Sequence, residues 1–278
     1  MSRILFATDL DGTLLGPDGK VSGESARIIS DLSRQGALIT VATARTPATV
    51  EPLLRDTFTT VPAIVLTGAA LWDRTGRRFI DPMTIPADVA DRLEDTFMQH
   101  SIQPFVYNLM PDGTMQVLHS PGLTRDEDRF YTERKDLELK KFIFRHGPFC
   151  SGSEYPSILV LGIGDTPSVE TLAAQLRTDS RLSVSAYPDI FDHSRSYIEV
   201  FRAGISKAAA VLRLKQMLGA DRLVVYGDHL NDLSMFAVAD ESVAMANALP
   251  QVREAATRTI GPNTLPSVAS DMAALFQG

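Results

Sequence analysis

The chain has 278 residues, 44% hydrophobic and 22% charged. That is ordinary globular composition, long enough for a large core shared between two domains. A net charge of -7 argues against non-specific binding to nucleic acid or an anionic membrane. The single cysteine, Cys150, excludes an intrachain disulfide, fits a reducing compartment and reads as a spectator, not a nucleophile.

"MSRILFATD" is too short and too soon charged for a signal peptide or a membrane span. No later stretch approaches about 18 uncharged apolar residues, so a cytoplasmic location is expected. "RILFATD" (3–9), "ALITVATA" (37–44) and "AIVLTG" (63–68) are apolar at consecutive positions, the pattern of parallel strands covered on both faces. Between the first two, residues 22–36 space Ile28, Ile29 and Leu32 as one helix face, with Gly36 at its stop. Thr46 and Pro47 open the next helix as N-cap and first residue. This β-α-β-α-β order predicts an α/β fold built on a doubly wound parallel sheet.

Residues 104–119 read as a hairpin turning at Pro111, Asp112 and Gly113. The charged stretch 124–141 reads as a solvated helix face. A strand (157–163), a helix (166–179) and a strand (181–187) follow. We read 83–188 as an inserted α+β domain, with 1–82 and 189–278 forming the core. The core pattern resumes with a helix (206–219), a strand (222–228), a helix (231–239), a short strand and turn (242–248) and a helix (249–257).

In open parallel sheets ligands sit beyond the carboxyl ends of the strands. After the first strand come Asp9, Asp11, Gly12 and Thr13; after the second, Thr43, Ala44 and Arg45; after the strand at 222–228, Asp228, Asn231 and Asp232. Lys207 opens a helix in the same half of the chain. Several carboxylates with one lysine neutralise each other poorly but suit Mg²⁺, which takes one or two carboxylates, waters and phosphate oxygens. No His or Cys cluster competes, which argues against zinc. Beside a metal and a phosphate, one carboxylate can attack phosphorus and another can carry the proton. A Thr hydroxyl, a Lys and turn amides can hold the phosphoryl oxygens, and Gly12 lets backbone approach them.

"DLDGTL" (9–14), Thr43 in "VATAR", Lys207 in "GISKAAA" and "GDHLND" (227–232) stand in the order of four motifs, and together they resemble the haloacid dehalogenase (HAD) phosphatase superfamily. The insert after the second motif, "TGAALWD" and "AMANA" (244–248) resemble its Cof-type, class IIB cap, sugar-phosphatase subfamily. The resemblance implies a Rossmann-like core with an inserted α+β cap that sets substrate specificity. It makes Asp9 the nucleophile and Asp11 the general acid and base. It places Mg²⁺ on the Asp9 carboxylate, the Asp11 backbone carbonyl and Asp228. Thr43, with Ala44 beside it, and Lys207 would bind the phosphoryl group. Asn231 and Asp232 would orient Lys207 and the metal waters or phosphate, and Arg45 and Asn247 would lie near substrate. The chain departs from the pattern at Ala44, Thr67 and Ala246, which replace common Gly, Asn and Gly. The expected activity is Mg²⁺-dependent hydrolysis of a small phosphorylated metabolite, with a sugar phosphate leading. A phosphomutase using the same aspartyl-phosphate and a silent binding protein are the alternatives. Neither a nucleic-acid nor a membrane partner is expected, and oligomeric state stays open.

Overall fold

The computed structural model describes residues 3–149, 153–189 and 192–277, so Cys150 lies outside the described residues. The first segment forms β1 (Ile4–Thr8), α1 (Gly23–Arg34), β2 (Leu38–Val41), α2 (Pro47–Leu53), β3 (Ala63–Val65), β4 (Ala70–Asp73) and β5 (Arg78–Ile80). The middle forms α3 (Ala87–Gln99), β6 (Phe105–Leu109), β7 (Met115–His119), α4 (Arg125–Thr132), β8 (Lys140–Phe144), β9 (Ser157–Asp165), α5 (Thr166–Leu176), β10 (Leu182–Pro188) and β11 (Arg195–Arg202). The last segment forms α6 (Lys207–Leu218), β12 (Arg222–Gly227), α7 (Leu233–Phe236), β13 (Glu241–Met245), α8 (Pro250–Ala255), β14 (Arg258–Ile260) and α9 (Ser267–Gln277). The chain divides into two compact units, Met1–Asp81 with Ser206–Gly278, and Pro82–Ile205.

The first unit holds a parallel sheet in the order β14-β13-β12-β1-β2. Leu5, Phe6 and Ala7 of β1 are fully buried, as a strand covered on both faces requires. From β1 the chain winds outward to β2, whereas β12 lies on the other side of β1. The carboxyl ends of β1 and β12 therefore meet at a switch point, with Thr8 opposite Tyr226. Ser22 caps α1 by accepting from the Ser25 amide, and Gly219, at φ +59°, ends α6.

The third apolar run is not a full member of the parallel sheet. β3 pairs antiparallel with β4, and its parallel pairing toward the sheet is a single bridge between Ala42, just past β2, and Ile64. The helix expected over 231–239 is a short turn at Leu230–Asp232 followed by α7. Residues 189–205 also depart from the expected core segment. β11 pairs antiparallel with β9 and β10, which places it in the second unit.

The second unit carries a sheet in the order β10-β11-β9-β6-β7-β8, antiparallel except at β7–β8. The expected hairpin is β6–β7. One sheet face packs on α3 and α5 through Leu93, Phe97, Val106, Val160, Leu172 and Val200. Alternation puts Phe105, Tyr107, Val117, Phe142 and Glu199 on the other face. α4 lies against part of it, with the Phe130 ring 5.0 Å from Phe105 and the Tyr131 ring 5.1 Å from Phe142. The charged stretch is thus only partly a solvated helix. Phe130 and Glu127 are buried, and its closing Lys140 and Lys141 begin β8.

Candidate active site

Asp9 follows the last residue of β1, and its amide donates to Tyr226 O of β12 at 3.0 Å. Asp9 is 5% exposed. Beyond it the chain turns widely, with Leu15 N bonded to Leu10 O at 2.8 Å. Gly12 sits in this turn at φ +76°, and a Cβ there would lie 2.2 Å from Asp228 Oδ2. Only glycine allows both the backbone angle and the approach of Asp228.

Lys207, the first residue of α6, is 2% exposed. Its ammonium donates to Asp9 Oδ1 at 2.7 Å and to Asp232 Oδ1 at 2.8 Å. Asp232 is fully buried, and its Oδ2 accepts from the amides of Asp228 (3.1 Å) and His229 (3.3 Å). One carboxylate thus fixes both the lysine and the loop after β12. Gly227 makes room for it, since a Cβ there would stand 2.6 Å from Asp232 Cβ. Asp228 accepts from Thr13 Oγ1 at 2.9 Å.

Thr43 is buried, its amide bonded to Ile64 O and its hydroxyl accepting from the Arg45 amide at 3.1 Å. Arg45 grips the exposed Asp11 carboxylate with both arms, Nε to Oδ2 at 2.8 Å and NH2 to Oδ1 at 2.6 Å. Ala44 is exposed between them, and Asn231 is exposed one residue before Asp232. Asn247 donates to Gly12 O at 2.8 Å and accepts from the Asn263 amide at 2.9 Å. The structure therefore joins Asp9, Lys207, Asp228 and Asp232 in one cluster, and Asp11 with Arg45 in a second pair. Asn231 is not among the hydrogen-bond partners of Lys207, which are Asp9 and Asp232.

Thr13, Gly68 and Asn263 also shape the site and had no assigned role in the sequence. Thr13 lies inside the "DLDGTL" motif, which was the available signal. Gly68, at φ +100°, lets its loop pack on the start of α6; a Cβ there would meet Ser206 O at 2.4 Å. The neighbouring Leu66 and Thr67 take positive φ, a strained conformation for such side chains. Asn263 Nδ2 donates to Leu15 O at 2.8 Å.

Burial pushes the Asp9 carboxyl up to about 7, against the pull of Lys207. Burial likewise raises Asp228, with the Thr13 hydroxyl opposing it. Burial works to lower Lys207, but Asp9 and Asp232 together hold it above the ordinary lysine range. The Asp11 hydrogen bonds raise Arg45.

One carboxylate oxygen each from Asp9, Asp228 and Asp232 come within 4.8 Å of one another. Asp232 already spends both oxygens on Lys207 and loop amides. Asp9 and Asp228 engage Lys207 and Thr13 through Oδ1, and each retains Oδ2. Hard oxygen donors at a buried strand end fit a divalent cation such as Mg²⁺. Such a cation would also offset the cost of ionising Asp9 there.

This constellation, on a parallel sheet carrying an inserted unit, defines a HAD-type hydrolase core. The haloacid dehalogenase-like hydrolase family model matches residues 6–271, and the chain belongs to that family. It is 25% identical to the 5-amino-6-(5-phospho-D-ribitylamino)uracil phosphatase YwtE of Bacillus subtilis, over 98% of both chains. It is 24% identical to the HMP-PP phosphatase of Serratia proteamaculans, over 90% of this chain and 86% of that one. Its fold is shared by BT4131, a HAD subclass IIB sugar phosphatase, at TM-score 0.70 and 17% identity over 99% of both chains. The chain is a phosphatase of this family, a hydrolase of phosphoric monoesters. Among the described residues no helix is long and apolar enough to cross a membrane.

Proposed function

We propose that this phosphatase is Mg²⁺-dependent, uses an aspartyl-phosphate on Asp9 and acts on a small sugar or polyol phosphate in the cytoplasm. The observation that carries the reading is the buried Asp9 carboxylate, pinned by Lys207 beside Asp228, with Asp11 two residues on and outside the cluster. The polyol class is supported by YwtE, whose named substrate bears its phosphate on a ribityl chain. The single cysteine supports the reducing compartment.

Asp9 attacks phosphorus through a carboxylate oxygen, forming an O–P bond as the ester O–P bond breaks. Asp11 gives a proton to the leaving oxygen. A water then attacks the phosphoryl group, Asp11 takes back its proton, and the Asp9 carboxylate is released with phosphate. Arg45 grips the Asp11 carboxylate with both arms, so Asp11 must leave that grip to reach the leaving oxygen. Lys207 and the Thr43 hydroxyl neutralise the phosphoryl oxygens. Mg²⁺, held by Asp9, Asp228 and the Asp11 carbonyl, supplies charge neutralisation when bound. Selection among metabolites is assigned to the inserted unit, residues 82–205.

The test is a panel of phosphorylated metabolites with Mg²⁺, reading released phosphate, with Asp9→Asn as the blank. Asp9→Asn should lose at least about 10³-fold in turnover while keeping its fold. Near wild-type turnover in Asp9→Asn, or full activity in excess EDTA, would reject the reading.

A further inference from the structure

Lys140 opens β8 on the sheet face not covered by α3 and α5, opposite Met115 and diagonal to Tyr107. It is 6% exposed, and its ammonium stands 5.2 Å from the centre of the Tyr107 ring. Among the described residues no carboxylate pairs with it and no hydrogen bond reaches its ammonium. Tyr107 is 1% exposed, and among the described residues nothing hydrogen-bonds its hydroxyl. A largely buried cation without a counter-charge is costly, and neither the Lys140 ammonium nor the Tyr107 hydroxyl is among the fully buried unpartnered atoms, so solvent, and with it an anion, reaches both tips.

The surrounding charge makes matters worse for a free lysine. Burial pushes Lys140 down to about 7, and the nearby Arg134 lowers it further. Arg134 stacks 4.1 Å over the Phe130 ring and spends NH1 on Phe130 O and Glu133. The acid on the same face that bears on Tyr107 is Glu199. Burial raises it to about 6, and it accepts a hydrogen bond from Tyr187 at 3.1 Å. Two cations and a donor hydroxyl thus converge on the β6–β8 end of this face.

We propose that Lys140, with the Tyr107 hydroxyl and the field of Arg134, forms a binding site on the inserted unit for an anionic group, a carboxylate or a phosphate. The anion supplies the missing counter-charge and accepts from both the ammonium and the hydroxyl. Its source is either a second acidic group on the phosphatase substrate, which rests on the function proposed above, or a free inorganic anion.

The first arm uses full-length Asp9→Asn protein, so that its outcome stands whether or not phosphatase turnover is found. Lysines are modified with trinitrobenzenesulfonate near pH 7 and read residue by residue by mass spectrometry, with and without sulfate or 2-phosphoglycolate. For a Kd of about 1 mM, about 10 mM of either anion should slow modification of Lys140 about tenfold, leaving exposed Lys20 unaffected. An unchanged rate at Lys140 with both anions overturns the proposal. The second arm compares kcat/KM of wild type and Lys140→Met on 2-phosphoglycolate and p-nitrophenyl phosphate. A loss about tenfold larger on the carboxylate-bearing ester, carried by KM, assigns the anion to the substrate. Protection in the first arm with equal losses in the second assigns it to a free anion.

Discussion

Lys207 and Lys140 are buried to nearly the same degree, at 2% and 6% exposure, in opposite electrostatic settings. Lys207 donates to two carboxylates, one of which is itself tied to loop amides. Lys140 faces an aromatic ring and another cation. In the first unit the lysine has its counter-charges within the protein, whereas the inserted unit keeps a charge in want of a partner. Burial alone does not separate a lysine paired within the protein from an unpaired one; the count of counter-charges does.

The comparison breaks most sharply at Lys207. Lys207→Met leaves Asp9 and Asp232 facing each other in a dry site and should cost about 3 kcal/mol or more in urea denaturation, besides loss of turnover. Gly68→Ala should come next. Its Cβ would strike the Ser206 carbonyl and its φ is unsuited to alanine, so a loss of about 1–3 kcal/mol is expected, with lowered kcat because the start of α6 carries Lys207. Lys140→Met should cost no stability near neutral pH and raise the denaturation midpoint instead. The folded state favours the neutral lysine, so wild type loses stability as pH falls from 10.5 to about 7, a loss complete below 7 that the methionine variant lacks. A wild-type midpoint above that of the variant at pH 6.5 would show that Lys140 has a counter-charge after all.

The smallest effect belongs to Glu199. The folded state favours its protonated form, so its contribution is full below 4.5 and lost as pH rises through about 6. Glu199→Gln should flatten that decline, measured as denaturation midpoints across the interval. Equal slopes in both proteins would place Glu199 in water.

What the sequence revealed and what it hid follow from contact range. Asp9, Asp11, Thr43 and Asp228 stood out because parallel-sheet chemistry gathers in short windows after strands, and Lys207 because it opens a helix inside an ordered motif. The grip of Arg45 on Asp11 joins residues 34 apart, and nothing local signals it. The same holds for Gly68, whose role depends on the Ser206 carbonyl far along the chain. β11 was missed because "RSYIEVFR" sets Arg, Ser and Glu between its apolar residues, so only its pairing with β9 and β10 reveals a strand. Lys140 looked like one more solvated charge, because a run of charges gives no hint of which member turns inward.

The position of β1 between β2 and β12 bears on how the chain is made. During synthesis β2 follows β1 at once, but β12 emerges only after the whole of 82–205. Until then β1 presents an unpaired edge on a largely apolar strand, the kind of surface that seeks strands in other chains. An insert that folds by itself draws its ends together and shortens the effective loop that β12 must close. Early folding of residues 82–205 would thus shield nascent chains from misassembly, a service to the phosphatase core independent of any ligand.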